Sequence, residues 1–115
     1  MKSGTRFEQG EIVLIPFPFT DLTTSKQRPV LVLSKTQYNR NSRDFISCGI
    51  TSNIKDEECS VLIDQEDLTS GFLPAPSRIK VDKIFTLEKS LAIKSIGKVK
   101  TEVWKKVRNE LVNLF

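Results

Sequence analysis

Histidine is absent from the 115 residues, so the side chain most often used to move protons near neutral pH is missing. Few groups remain to do chemistry. Arg28 stands between Gln27 and Pro29, where a polar loop gives way to the apolar run Val30, Leu31, Val32, Leu33. Pro29 lacks an amide donor and suits the first position of a strand, which sets Arg28 at the strand's mouth. From there its rigid fork of donors can grip an anion, or it can make a structural ion pair. Thr51 and Ser52 end the run at residues 45–50 and offer hydroxyls, though Thr is common in strands for its shape alone. On a regular strand the two point to opposite sides. Lys80 and Asp82 lie two apart, so a strand puts them on one face, either as a working pair or as a surface salt bridge. Phe17 and Phe19 alternate with Pro16 and Pro18; they suit either the plug of a barrel's end or a platform for stacking bases. Asp21, in the same loop, suits binding of the loop's own amides. Cys48 and Cys59 read as reduced, partly buried thiols, and no cluster has zinc-ligand spacing. Neither metal nor cofactor is expected.

The elements that position these groups follow from the apolar pattern. Residues 10–34 read GEIVLIPFPFTDLTTSKQRPVLVLS. Two short runs rich in branched residues, 12–15 and 30–33, flank a polar loop, and each reads as a buried strand. The loop from 17 to 27, which includes Lys26, is long for a hairpin and of a length often used for function. Residues 1–9 form a polar lead-in. A short helix or turn is expected over 35–42, strands over 45–50, 60–63 and 77–81, a helical turn over 64–70 stopped by Gly71, and a last strand ending near Gly97. Val103, Val107 and Leu111 recur every four residues with Trp104 alongside, which predicts an amphipathic C-terminal helix exposing Lys105, Lys106 and Arg108. Five or six short strands with one terminal helix imply an α+β, mainly β, strongly bent small barrel in a single domain, 1–115.

Composition narrows the class further. A charged fraction of 28% and a hydrophobic fraction of 38% suit a soluble globular chain. No apolar run approaches the roughly 20 residues that span a bilayer, and the polar start has no signal-peptide core, so a cytoplasmic location and no membrane are expected. The net charge of +4 is unevenly spread. Residues 54–70 hold one Lys against six acids, and residues 78–108 hold ten Lys or Arg against three acids. Such segregation fits a basic face for phosphates, or simply a lopsided solvated surface.

The segments GEIVLIPFPF followed by TDL, RPVLVLS, ITS at residues 50–52 and KVDKIFTL at residues 80–87 together resemble the MazF/PemK family of toxin endoribonucleases. The resemblance covers nearly the whole chain. It implies an SH3-like barrel with one or two short helices besides the terminal one, and metal-independent cleavage of single-stranded RNA. The 2′-hydroxyl would attack the neighbouring phosphate, giving a 2′,3′-cyclic phosphate and a 5′-hydroxyl. It implies Arg28 at the phosphate, Thr51 beside it and Asp82 as a base or as the group that orients Arg28. Phe17, Phe19, Asp21, Lys26, Ser52 and Lys80 would bind substrate. Lys80 stands where some members carry Arg, and the loop lacks the His that some carry. A homodimer and a cognate antitoxin with a disordered acidic tail are the implied partners. Two other readings share the barrel: a binding module without catalysis, and a toxin that acts on DNA gyrase through protein contact.

Overall fold

The computed structural model describes residues 7–18 and 25–115; of residues 17, 18, 25 and 26 it describes the backbone alone. The strands are β1 (Glu11–Pro18), β2 (Ser25–Val32), β3 (Asp44–Thr51), β4 (Ser60–Ile63), β5 (Leu68–Gly71), β6 (Ser77–Glu88) and β7 (Lys94–Val99). The helices are α1 (Thr36–Asn41) and α2 (Thr101–Leu114). The strands form one antiparallel sheet in the order β4-β6-β3-β2-β1-β7-β5. A flat sheet would set its outer strands about 29 Å apart at ~4.8 Å per step. Yet β4 and β5, the two edges, are consecutive in the chain and joined only through residues 64–67. That link reaches at most about 17 Å, so the sheet must curl, and it forms a half-barrel. The link is a 3-10 turn, Gln65–Asp67, closed by Asp64 accepting from the Glu66 amide at 3.0 Å and Asp67 accepting from the Asp64 amide at 2.9 Å.

The unbroken apolar runs of β1 and β2 have a simple cause: both faces of the sheet are covered. Ile12 and Leu31 enter a core with Cys48, Ile50, Ile79 and Val81, under Val103 and Val107 of α2. Their neighbours Val13, Ile15, Val30 and Val32 enter a second core with Phe45. Trp104 and Leu111 pack against the first core, while Lys105, Lys106 and Arg108 are exposed. Among the described residues no helix is long and apolar enough to cross a membrane.

Several expectations need correction. Among the described residues there are seven strands, not five or six. Leu68–Gly71 is a strand rather than the end of a helical turn, because it pairs with β7. The lead-in is not wholly polar in role: Phe7 is buried and stacks on Phe45 with ring centroids 5.0 Å apart. Above all, β2 begins at Ser25, so Arg28 is not at its mouth but within it, opposite Ile15. This arm of β2 pairs with β1 alone, since the pairing with β3 starts only at Val30. Among the described residues Pro29 has no β3 partner and Pro16 and Pro18 have no β7 partner, since the β1–β7 pairing ends at Leu14, so each is tolerated where one side of its strand is unpaired.

Candidate active site

β2 and β3 part company beyond the pair Val30–Gly49. Continued past that pair, the antiparallel register sets Arg28 opposite Thr51. The gap is the mouth of a cleft of about 360 Å³. Arg28, Pro29 and Val30 of β2 form one wall and Gly49, Ile50 and Thr51 of β3 the floor. Lys80, Lys83 and Phe85 of β6, with Asn53 and Glu57 from the loop after β3, complete it. Val30 belongs to the second core and α2 covers the first, so the cleft opens at the end of the sheet face turned away from α2.

A bulge in β6 decides which charges meet here. Gly49 pairs with Lys80, whereas Cys48 pairs with Ile84, leaving Val81, Asp82 and Lys83 opposite no residue of β3. An inserted stretch of this kind resets the alternation of faces. Lys80 and Lys83 therefore both line the cleft despite their odd spacing. Asp82 is exposed and is not among the lining residues, so the even spacing does not put it beside Lys80. Its charge is felt instead at Cys48, whose thiol is pushed up to about 12, first by burial and then by Asp82.

The remaining wall is a loop held in place by Arg78. Its Nε donates to the Ile54 carbonyl at 3.0 Å, its Nη1 to Ser60 Oγ at 3.1 Å, and its Nη2 lies 3.3 Å from Asp56. Ser60 Oγ in turn donates to the Glu57 carbonyl at 2.6 Å. Thr51 Oγ1 accepts from the Asn53 amide at 3.1 Å, and Asn53 Oδ1 accepts from the Lys55 amide at 3.2 Å. Glu57 Oε1 accepts from Lys80 Nζ at 2.8 Å. That hydrogen bond, with the charge behind it, holds the Glu57 carboxyl below its usual range, and Lys55 and Lys83 add to the effect.

Of the residues singled out in the sequence, Arg28, Thr51 and Lys80 come together in this cleft. Ser52 is exposed and does not line it. Phe19 and Asp21 lie outside the described residues, as do the side chains of Phe17 and Lys26. Gly49, Asn53, Glu57 and Lys83 are lining residues that sequence reasoning passed over. Glu57 follows Thr51 closely in the acid-rich stretch 54–70, and an acid close to the basic stretch 78–108 is the one signal for it. Nothing in the sequence marks the bulge that brings in Lys83.

Comparisons with known proteins agree with this architecture. The chain resembles the MazF of Deinococcus radiodurans in a MazE–MazF crystal structure, with a TM-score of 0.78 at 24% identity over 96% of each chain. It resembles a mycobacterial endoribonuclease in complex with its cognate antitoxin, with a TM-score of 0.76 at 19% identity, covering 92% of this chain and 91% of that one. For the Mycobacterium tuberculosis toxin MazF-mt6 the TM-score is 0.73 at 19% identity, over 90% and 93%. At such identities these likenesses speak for the fold. No curated protein matches the sequence. The model of the PemK-like, MazF-like toxins of type II toxin–antitoxin systems, however, matches residues 8–115. The chain thus belongs to the PemK-like, MazF-like toxin family.

Proposed function

We propose that this toxin is a metal-independent endoribonuclease that cuts single-stranded RNA, messenger RNA foremost, and is restrained by a cognate antitoxin. The observation that carries the reading is the meeting of Arg28, Thr51 and Lys80 in one cleft where β2 and β3 part. RNA brings its own nucleophile, the 2′-hydroxyl beside the scissile phosphate. The protein must align it, stabilise negative charge growing on phosphorus and move two protons. Arg28 presents two parallel donors to the phosphate oxygens, and Lys80 adds a point charge. Donors aimed at developing charge are the largest single source of such rate enhancement. Thr51 already accepts from Asn53, which leaves its hydroxyl proton to give to the departing 5′-oxygen, and water restores it. The products are a 2′,3′-cyclic phosphate and a 5′-hydroxyl.

Single strands expose the base edges that selectivity needs. Structural relatives described as toxin–antitoxin complexes support an inhibitory partner. An acidic peptide that folds on binding would fill a cationic cleft in place of phosphates. A homodimer is the working form that the family implies. The test is incubation with a long single-stranded RNA in excess EDTA beside Arg28→Ala. Discrete cuts by wild type alone, with cyclic phosphate and 5′-hydroxyl ends, are expected. Intact RNA with folded wild-type protein would refute the reading.

A further inference from the structure

The cleavage chemistry needs a base, and the chain has no histidine to serve. Among the described residues lining the cleft, Glu57 is the one carboxylate. It sits 2.8 Å from Lys80 Nζ with its side chain about half exposed, at 49%. Its position is built rather than accidental. Ser60 Oγ fixes its carbonyl, Arg78 fixes Ser60 Oγ, and the same guanidinium grips Ile54 and Asp56. Arg78 is only 12% exposed and is rooted in β6 next but one to Lys80. An ordinary surface ion pair has no need of such a frame.

We propose that Glu57 is the general base of the cleavage, parked on Lys80 until a scissile phosphate takes the ammonium from it. The proposal rests on the nuclease reading above and deepens it. When phosphate engages Lys80 and Arg28, the carboxylate is released but stays at the cleft wall, because its backbone is held independently of its side chain. It takes the proton from the 2′-hydroxyl. The O2′–P bond forms and the P–O5′ bond breaks. The 5′-oxygen takes the Thr51 proton, Thr51 takes one from water, and Glu57 returns its own to the hydroxide so formed, so the protons balance. Among the described residues the cations that act on Glu57 are Lys80 and Lys83 from β6 and Lys55 from its own loop, and Arg28 lines the same cleft. Lys80 contributes the first causes of its lowered basicity, so transfer of Lys80 to the phosphate restores the base when it is required.

The experiment compares single-turnover cleavage by wild type, Glu57→Gln and Glu57→Ala from pH 4 to 9 in EDTA. Binding is measured separately on an RNA with a 2′-deoxy nucleotide at the cut site. Glu57→Gln is expected to cut about 10²- to 10⁴-fold more slowly and to lose the acid-side rise of rate with pH. It should bind the uncleavable RNA at least as tightly as wild type. Added formate should restore part of the Glu57→Ala rate. Cleavage by Glu57→Gln within threefold of wild type would overturn the inference and leave the nuclease reading intact. A slowed variant with an unchanged pH profile and no formate rescue would also overturn it, reducing Glu57 to a structural ion pair. No cleavage by wild type would overturn both.

Discussion

Gly49 offers a test in which stability and activity move in opposite directions. It pairs with Val30 on one side and Lys80 on the other, so it forms the floor between the cations of the cleft. A Cβ there would lie 3.7 Å from Lys83 Cβ and 3.8 Å from Phe85 Cε2. Both are ordinary contacts, and the glycine backbone is not in the left-handed region. Ala therefore fits the fold. Removing a glycine's freedom from the unfolded chain stabilises by about 0.4–1 kcal/mol, or a rise of roughly 2–6 °C in Tm for a domain of this size. The same methyl projects one carbon–carbon bond, about 1.5 Å, into the cleft where the proposed reading seats the phosphate. Misplacement by about 1 Å costs on the order of 10²-fold in rate, so Gly49→Ala should cut about 10- to 100-fold more slowly. Thermal melting and single-turnover cleavage of a mapped RNA site measure the two effects. A lower Tm would refute the strain-free geometry. A higher Tm with full activity would show that the scissile phosphate is not bound over Gly49.

Arg28→Lys keeps the charge but loses the fork. It should cut about 10²- to 10³-fold more slowly, the usual loss for one transition-state donor, and activity within threefold of wild type would reject the bidentate role. Lys80 depresses the Glu57 carboxyl below its ordinary 4.5, so Lys80→Ala should raise the acid limb of the kcat/KM profile toward that value; a limb that stays or falls contradicts the pairing. By the same linkage the pair's contribution to stability is present at neutral pH and is lost as pH falls through the lowered Glu57 value. Burial and Asp82 hold the Cys48 thiol up at about 12, so iodoacetamide at pH 8 should modify the native protein at Cys59 alone, with mass spectrometry of two labelled sites as the contrary result. Among the described residues the cleft is lined by three cations, Arg28, Lys80 and Lys83, and the proposed reading makes these the phosphate contacts. At about −0.7 per contact for single strands, the log–log salt slope for a short RNA should be about −2, and a slope near −5 would enlist the exposed basic residues of α2.

What the sequence made legible depended on burial. The runs at 12–15 and 30–33 announced β1 and β2 because both of their faces are covered. The four-residue recurrence of Val103, Val107 and Leu111 announced α2 because one side packs on the sheet. The arm of β2 before Pro29 pairs with β1 alone and carries no apolar signature, which is why Arg28 reads as standing outside a strand that contains it. In β5 only Leu68 is buried, so residues 68–71 read as the end of a turn although β7 makes them a strand. Arg28 and Thr51 could be named as neighbours from the resemblance, but what sets them opposite each other, the β2–β3 register at Val30–Gly49, has no mark in the residues themselves. The Lys80–Lys83 pairing was hidden more deeply, since a bulge overrides the alternation that assigns residues to faces.

The charge segregation read in the sequence acquires a different meaning in the fold. The acidic stretch 54–70 and the basic stretch 78–108 do not make separate faces, because β4 pairs with β6 and β5 with β7. They meet at the rim of the cleft, where Asp56 lies on Arg78 and Glu57 on Lys80. On the proposed reading the resting protein thereby covers part of its own phosphate site. Bare cations would attract any polyanion, whereas a covered one yields only to a ligand that seats an anion deep enough to displace the carboxylate. Complementarity of this kind governs selectivity more than raw affinity. On the proposed reading two ligands meet that condition with opposite results. An RNA phosphate displaces Glu57 and presents a 2′-hydroxyl to it. An acidic antitoxin segment displaces it and presents nothing to deprotonate. The same ion pair would then separate substrate from inhibitor by what each offers the base once it is freed.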